Sequence, residues 1–283
     1  MDCWRLILHG GHKAADNMAM DEAILTAYAE GMVPPTIRLY SWTGPAISLG
    51  YHQTLERSRL DPRYCRDTGI ELVRRPTGGR AVLHGHDLTF SVCVDDARIP
   101  AEYRGVTGSH IWLMRGIVAG FAKLGIDAEI GPLPRSNAYS SSNTDCFARV
   151  AECDVRTSDG AKIAGAAQVR RSGVFLEQGS IPHTVPSVDY GRIFGGKAAD
   201  PVYVLGAIPG QTVDQAMIEG FAESLGIAFE VGDLTAYETD LARGLAEGKY
   251  ASADWTYSKV CIDKSMLRCY TESASSGGVR QNA

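Results

Sequence analysis

The chain has 283 residues, 45% of them hydrophobic and 22% charged, which is ordinary for a folded protein with one large domain or two small ones. A formal net charge of −5 argues against a protein that binds nucleic acid over its whole surface. The seven cysteines are scattered and include no Cys-x-x-Cys pair, so they indicate neither a disulfide framework nor a zinc ribbon. Because no apolar run has membrane-spanning length and the N-terminus has no signal-peptide pattern, we expect a cytoplasmic protein with reduced cysteines.

The first predicted element is a helix over residues 16–30, whose apolar side chains recur at helical spacing. We expect Asp16 or Asn17 to cap this helix and Gly31 to end it. Short apolar runs between turn residues predict the next elements. These are strands over 36–42 and 46–52, a helical stretch around 54–68, and a strand over 88–94.

In the second half of the chain, residues 120–130 and 220–231 resemble one another, each predicting a helix, a glycine and then a strand. We interpret this likeness as convergence on a common connection. Residues 131–145 form a Pro/Ser/Asn-rich segment long enough to be a functional loop. The Asp159-Gly160 pair predicts a hairpin, and two further strands meet near residues 170–172. The pattern predicts an α+β protein with one main sheet and helices packed against it.

The stretch RRPTGGRAVLHGHD, residues 74–87, combines three arginines, a glycine pair, two histidines and an aspartate. His84 and His86 have the spacing of a metal-ligand pair on a strand, but no third ligand is evident nearby. Gly78 and Gly79 would allow an anion to approach the backbone, with the arginines supplying charge. The same glycines would equally serve a β-hairpin turn. From these residues alone, the anion cradle and the hairpin stay equally open.

A second constellation pairs Cys146, at the end of the long loop, with Lys162, in a strand rich in alanine and glycine. A lysine near the thiol would lower its pKa, or would hold a substrate carbonyl oxygen. The alternative is a buried cysteine and a lysine that reaches solvent from the strand end. Cys153 is a competing nucleophile, although the carboxylates of Glu152 and Asp154 beside it disfavour a thiolate.

Taken together and in this order, the motifs resemble the lipoate–protein ligase A/octanoyltransferase family. The resemblance covers roughly residues 4–182 and rests on NMAMDEAIL, IRLYSW, ISLGYHQ, RRPTGGRAVLHGHDLTFSV, KIAGAAQ and LEQGSI. It implies an α+β fold like that of class II aminoacyl-tRNA synthetases and biotin–lipoate ligases, with a mixed, mostly antiparallel sheet flanked by helices. We expect a single catalytic domain over residues 1–271 and a disordered tail over 272–283.

Within that family the sequence is most similar to the cysteine-dependent octanoyltransferase branch, because Cys146-Phe147 precedes the lysine strand. The resemblance implies an acyltransferase that moves octanoyl from acyl carrier protein, through a thioester on Cys146, to a lysine of a lipoyl domain such as glycine cleavage H protein. Lys162 would be the second catalytic residue. No cofactor is implied, because a thioester is already activated and the transfer needs no ATP.

The resemblance also implies a narrow acyl tunnel. The residues that would bind the substrate there are Arg75, Thr77, Gly78, Gly79, His84, Gly165 and Gln168. Neither a metal, a nucleic acid nor a membrane is implied as a partner. We further expect Arg75, Arg149 and Arg170 to help dock acidic protein partners.

The chain departs from the branch at three places. Ala166 stands where the branch has serine, Glu177-Gln178 replaces Gln-His in an LQHGS pattern, and Cys153 stands where an aromatic residue is expected. Three other functions therefore stay open: an ATP-dependent lipoate–protein ligase, an amidotransferase acting between two lipoyl domains, and a catalytically silent acyl-binding homologue. Ligases of this family usually carry an additional C-terminal domain, which favours the transferase.

Overall fold

The computed structural model describes residues 2–58, 60–132, 153–171, 173–184, 188–194 and 204–258. The predicted nucleophile Cys146, Arg149 and the predicted tail lie outside these residues. The helices are α1 (Ala14–Ala29), α2 (Leu55–Ser58), α3 (Pro62–Asp67), α4 (Val106–Lys123), α5 (Tyr190–Ile193), α6 (Gly210–Leu225) and α7 (Ala236–Leu245), with a 3-10 turn at Ala101–Tyr103 and π-helical turns at Ala246–Tyr250 and Asp254–Ser258.

Two sheets organise the described part of the chain. The strands are β1 (Asp2–His12), β2 (Thr36–Trp42), β3 (Ala46–Leu49), β4 (Glu71–Arg74), β5 (Val82–His84), β6 (Asp87–Asp95), β7 (Ala128–Ile130), β8 (Val155–Thr157), β9 (Lys162–Arg171), β10 (Val174–Pro182) and β11 (Ile227–Gly232). Eight of them form the main sheet in the order β11-β1-β2-β6-β10-β9-β8-β7, and β4-β3-β5 form a small sheet. In the main sheet β1 runs parallel to β11 and β2, and the other neighbours are antiparallel. The predicted mixed, mostly antiparallel sheet flanked by helices is confirmed.

Helices cover the main sheet on both faces. On one face α4 and α6 pack on a core that contains Phe90, Val92 and Phe175 of the sheet. These two helices approach closely, because a Cβ on Gly220 would lie 2.4 Å from the backbone nitrogen of Gly120. On the other face α1 packs between the main sheet and the small sheet, with α7 against it. None of the helices in the described ranges has the length and apolar character needed to cross a membrane.

The hairpin alternative for residues 77–79 is wrong. Strands β4 and β5 both pair with β3, which lies between them, so the Thr77-Gly78-Gly79 connection passes across the end of β3. Gly79 has φ +85°, and its carbonyl oxygen occupies the place where a Cβ on Gly50 would stand, 1.9 Å away. Gly50, just after β3, therefore lets the connection lie directly on the strand end. The hairpin predicted at Asp159-Gly160 is confirmed, since β8 and β9 are antiparallel on either side of it.

The predicted cap of the first helix is also wrong, although the helix itself is confirmed. Helix α1 begins at Ala14, so Asp16 lies in its first turn and Asn17 lies inside it. Lys13 occupies the capping position without a side-chain hydrogen bond, and the backbone N–H of Ala14 donates instead to Glu71 Oε2 at 2.6 Å. A carboxylate from β4 thus satisfies the end of the helix that the local sequence was expected to cap.

Candidate active site

A mostly apolar cavity lies where the small sheet meets the main sheet and α1. About 430 Å³ of space lies between its walls, part of it open to solvent. The lining comes from the 74–87 motif, from the small residues of β9, and from β2, β3, β6, β10 and α1. The lining residues are Met18, Tyr40, Trp42, Ser48, Arg75, Gly79, Val82, His84, Thr89, Gly165, Ala166, Ala167, Gln178, Gly179 and Ser180.

Arg75 holds the glycine connection in shape. Its guanidinium donates to Thr77 Oγ1 at 3.2 Å, to the carbonyl oxygens of Gly78 and Arg80 at 2.6 and 2.7 Å, and to the carbonyl and hydroxyl oxygens of Ser48 at 2.9 and 3.1 Å. A connection that crosses the end of a strand leaves backbone carbonyls without hydrogen-bond partners in the sheet. The several N–H groups of one guanidinium can donate to more than one of these carbonyls. Arg75 therefore stabilises the cavity wall, of which it is itself a part.

Arg74 has a similar role on the opposite side of β3. It is fully buried and donates to the carbonyl oxygens of Gly50, Tyr51, Gln53, Trp255 and Thr256 at 2.7–3.1 Å. Burial lowers the pKa of its guanidinium from the ordinary value. The guanidinium donors of Arg74 and Arg75 are thus directed to backbone carbonyls and, for Arg75, also to the hydroxyls of Thr77 and Ser48.

His84 is fixed by three neighbours at the cavity wall. Its Nδ1 lies 2.7 Å from Asp87 Oδ2, its Nε2 lies 2.8 Å from Ser48 Oγ, and its ring stacks on Trp42 with centroids 4.1 Å apart. Burial alone would raise the pKa of Asp87, but the His84 ring and the hydroxyl of Ser180 hold it below the usual value. Because both ring nitrogens are hydrogen-bonded within the protein, neither is free to ligate a metal.

Gln178 connects the glycine connection to a buried ion pair under the cavity. Its Oε1 accepts a hydrogen bond from Thr77 Oγ1 at 2.9 Å, and its Nε2 donates to Asp21 Oδ2 at 2.7 Å. Asp21 also binds Arg38 at 2.8 Å, with both side chains fully buried, and accepts from Tyr40. Sequence reasoning missed Asp21 as part of the site. A sequence signal was available, since Asp21 shares the helical spacing of the apolar residues Met18, Leu25 and Tyr28, and a carboxylate on a buried helix face must have a partner.

Lys162 lies at the start of β9, against the cavity wall. Its Nζ is 2.8 Å from Asp154 Oδ2, and both residues are buried. A Cβ on Gly165 would lie 2.6 Å from this Nζ and 3.2 Å from Asp154 Oδ1. The lysine therefore needs a glycine at position 165, which is itself a lining residue. The alternative of a lysine that reaches solvent from the strand end is wrong, because the Lys162 side chain is only 2% exposed.

Gln168, predicted to bind substrate, is not among the lining residues of this cavity. Its Nε2 donates to Glu177 Oε2 at 2.7 Å and to Ser109 Oγ at 3.1 Å, on the side of the sheet where α4 packs. Arg170 donates to Gln168 Oε1 at 2.7 Å and pairs with Asp96 at 2.6 Å. Both residues thus belong to a polar network beneath α4, so Gln168 acts at most indirectly on a ligand in the cavity.

Most of the other predicted site residues come together. Arg75, Gly79, His84 and Gly165 line the cavity, and Thr77 lies directly behind it. Cys146 lies outside the described residues, so its role stays a prediction. The competing nucleophile Cys153 is buried at 3% exposure.

Comparison with known proteins gives a consistent result. Residues 13–203 match the lipoyl protein ligase A/B catalytic domain. The octanoyltransferase LipM of Kyrpidia tusciae is 37% identical, and the match covers 92% of this chain and 100% of that protein. The octanoyltransferase LipM of Bacillus subtilis is 33% identical, and the match covers 91% of this chain and 99% of that protein. Among solved structures, a bi-partite lipoate protein ligase of Thermoplasma acidophilum superposes with a TM-score of 0.72 at 26% identity, covering 93% of this chain and 99% of that one.

The family match includes every residue that lines the cavity. These comparisons confirm the predicted family and the predicted enzyme class, an acyltransferase. The chain belongs to the lipoyl protein ligase A/B catalytic domain family.

Proposed function

We propose that the protein is an octanoyltransferase of lipoate biosynthesis, which moves an octanoyl group from acyl carrier protein to a lysine of a lipoyl domain such as glycine cleavage H protein. The observation that carries the proposal is the buried Lys162–Asp154 pair, which packs on Gly165 at the wall of a mostly apolar cavity. A slender alkyl chain fits beside the glycine and alanine residues of β9, and a lysine at its end can hold the carbonyl. The octanoyltransferase names of relatives that match over 91–92% of this chain support the choice of acyl group.

The chemistry proceeds in two transfers. The Cys146 thiolate attacks the thioester carbonyl of the octanoyl donor, and the carrier thiol leaves with a proton. The amine of the acceptor lysine then attacks the Cys146 thioester, forms the amide, and releases the cysteine thiol as the amine loses a proton. In both steps Lys162 donates a hydrogen bond to the carbonyl oxygen as negative charge develops there.

The decisive experiment uses octanoyl-acyl carrier protein without ATP. We expect intact mass to report one octanoyl adduct, which peptide mapping assigns to Cys146, and we expect Cys146→Ala to lose both adduct and transfer. Cys3→Ser is the matched control, because Cys3 is exposed on β1 and would take up an adventitious acyl group. A Cys146→Ala variant that still transfers octanoyl would refute the thioester step.

Chain-length preference is a second measure of the apolar wall. Burying one methylene contributes about 0.8 kcal/mol, so a hexanoyl donor should lose about 1.6 kcal/mol relative to octanoyl. We therefore expect acylation by hexanoyl-acyl carrier protein to have a kcat/KM roughly 15-fold lower. Equal rates for the two donors would mean that the chain is not bound in the cavity.

The second candidate is an ATP-dependent lipoate–protein ligase. A structure of lipoate-protein ligase A bound with ATP superposes with a TM-score of 0.71 at 27% identity. Chain length does not separate the two functions, because the Thermoplasma ligase is described as bi-partite. Activity that requires ATP and free lipoate would favour the ligase. Transfer from an octanoylated lipoyl domain in place of the acyl carrier protein would favour the amidotransferase.

A further inference from the structure

His110, on α4, lies between two hydrogen-bond acceptors. Its Nδ1 is 2.6 Å from Glu177 Oε1, and its Nε2 is 3.2 Å from the carbonyl oxygen of Cys153. A carbonyl only accepts, and an ionised carboxylate only accepts, so each ring nitrogen must carry a proton. Glu177 is fully buried and receives a second donor, Gln168 Nε2 at 2.7 Å, on its other oxygen. The geometry is that of an imidazolium held by a carboxylate.

The carbonyl that His110 binds belongs to a strained residue. Cys153 has φ +70°, the single positive φ at a non-glycine position in the described ranges. Such a backbone conformation costs about 1–3 kcal/mol and persists where the surroundings fix it. His110 fixes it from one side, and the backbone N–H of Gly131 donates to the Asp154 carbonyl at 2.8 Å from the other. These two hydrogen bonds therefore help to anchor the turn at residues 153–154.

The same turn presents the partner of Lys162. Asp154 follows Cys153 directly, and its carboxylate binds Lys162 Nζ at 2.8 Å. Because the ion pair is buried, a small rotation of the turn would move the carboxylate away from the ammonium group without a solvent molecule to replace it. Contacts thus run from Glu177 through His110 and the Cys153 backbone to Asp154 and Lys162.

We propose that His110 is a positioning residue for Lys162, acting as an imidazolium that fixes the Cys153 carbonyl and thereby the Asp154 carboxylate. The proposal deepens the proposed function, in which Lys162 takes part in acyl transfer. It also gives Glu177 a role at a position where the branch pattern has glutamine, since a carboxylate stabilises the doubly protonated His110 ring more than a neutral amide does.

The charges around His110 predict how the positioning depends on pH. Glu177 faces the ring from β10 and Asp154 from the turn before β8, while Arg170 lies beyond Gln168 and Ser109, and Lys162 lies beyond Asp154. Burial alone would lower the pKa of His110, but Glu177, the Cys153 carbonyl and Asp154 raise it above the ordinary value. Above that raised pKa the ring keeps one proton and loses one of its two hydrogen bonds.

Two measurements that do not depend on enzyme activity test the proposal. In protein carrying ¹⁵N-labelled histidine, we expect both His110 ring nitrogens to be protonated at neutral pH, with a titration midpoint that falls in Glu177→Gln. In competitive amine labelling read by mass spectrometry, we expect Lys162 to react about tenfold faster in His110→Gln, since one charge-assisted hydrogen bond contributes about 1.4 kcal/mol. Lys249, which binds Glu22 at 2.5 Å, serves as the internal reference amine.

The control variant is His183→Gln. In the unmodified protein, His183 Nε2 lies 2.6 Å from the carbonyl oxygen of Ile208, away from this network. The control variant should leave Lys162 labelling unchanged. If His110→Gln does not fold, the ring-nitrogen measurements on the parent protein and on Glu177→Gln carry the test. Unchanged Lys162 labelling in folded His110→Gln, a His110 ring with a single proton at neutral pH, or an unchanged His110 titration midpoint in Glu177→Gln overturns the positioning role. Full octanoyl transfer by Lys162→Ala would instead overturn the proposed function of the lysine, and the labelling result would stand.

Discussion

Gly50 gives the sharpest test of how the 74–87 motif is built. A Cβ at this position would lie 1.9 Å from the carbonyl oxygen of Gly79, 2.7 Å from its carbonyl carbon and 3.0 Å from the carbonyl oxygen of Gly78. All three are backbone atoms, so Gly50→Ala can be accommodated only if the whole connection moves by more than about 1 Å to reach an ordinary carbon contact. Overpacking of this kind costs about 1–3 kcal/mol, and each hydrogen bond of the Arg75 network that is lost adds about 1 kcal/mol. We expect a total of about 3–5 kcal/mol.

For a chain of this size, that cost lowers the melting temperature by roughly 10 °C, and thermal unfolding followed by circular dichroism measures it. Gly44→Ala is the matched control, because a Cβ there meets nothing within 4 Å and the residue lies in the turn before the same strand. Its melting temperature should stay within about 2 °C of the parent value. If Gly50→Ala melts as Gly44→Ala does, the glycine connection does not lie on the end of β3 and the account of the cavity wall is wrong.

Two further variants test the ion pairs that flank the cavity. Burial alone would raise the pKa of Glu22, but Lys249 and Arg171 lower it to about 2. Above pH 4.5, the free energy of unfolding of the parent protein should therefore exceed that of Glu22→Gln by about 3 kcal/mol. This difference should fade as the pH falls towards 2, and urea unfolding that gives the same difference at pH 7 and pH 3 would contradict the ion-paired glutamate. For Gly165→Ala, the new Cβ would displace Lys162 Nζ, which lies 2.6 Å from it, and a flexible side chain can move at little cost. We expect octanoyl transfer to fall at least tenfold with the melting temperature lowered by no more than about 3 °C, and normal transfer would show that the lysine does not need its observed position.

Local sequence patterns were sufficient to predict individual helices and strands. The strand predicted over residues 36–42 is β2, and the helix–glycine–strand connections are α4 to β7 and α6 to β11, with Gly125 and Gly226 at φ +73° and +67°. In the strand, neighbouring residues supply the apolar pattern. In the two connections, they also supply the glycine that ends the helix. The order of strands in the sheets is set by contacts between distant residues, and the motif at residues 77–79 could therefore be interpreted as a hairpin although β3 separates its two strands.

The cap of α1 illustrates the same limit on a smaller scale. Asp16 has the residue type of a capping side chain, and a rule based on neighbours selects it. The structure instead uses Glu71 of β4, which is 57 positions from Ala14, because the small sheet packs against the first turn of the helix. A carboxylate supplied by tertiary packing has the same favourable interaction with the exposed N–H groups as one supplied locally. Sequence alone cannot choose between them.

For the site, the sequence identified the residues with unusual chemistry and missed the residues that hold them. Lys162 and His84 were singled out, whereas Ser48 was not considered and Asp154 was considered only as a neighbour of Cys153, since both partners are ordinary polar residues on other elements. Arg75 was expected to bind the substrate and to help dock acidic protein partners, yet it donates to backbone carbonyls of the glycine connection. Glycines that let a chain cross a strand end also leave carbonyls without sheet partners, and a buried carbonyl without a donor is costly. An arginine next to such glycines is therefore better interpreted first as the donor those carbonyls require, and only then as a contact for a ligand.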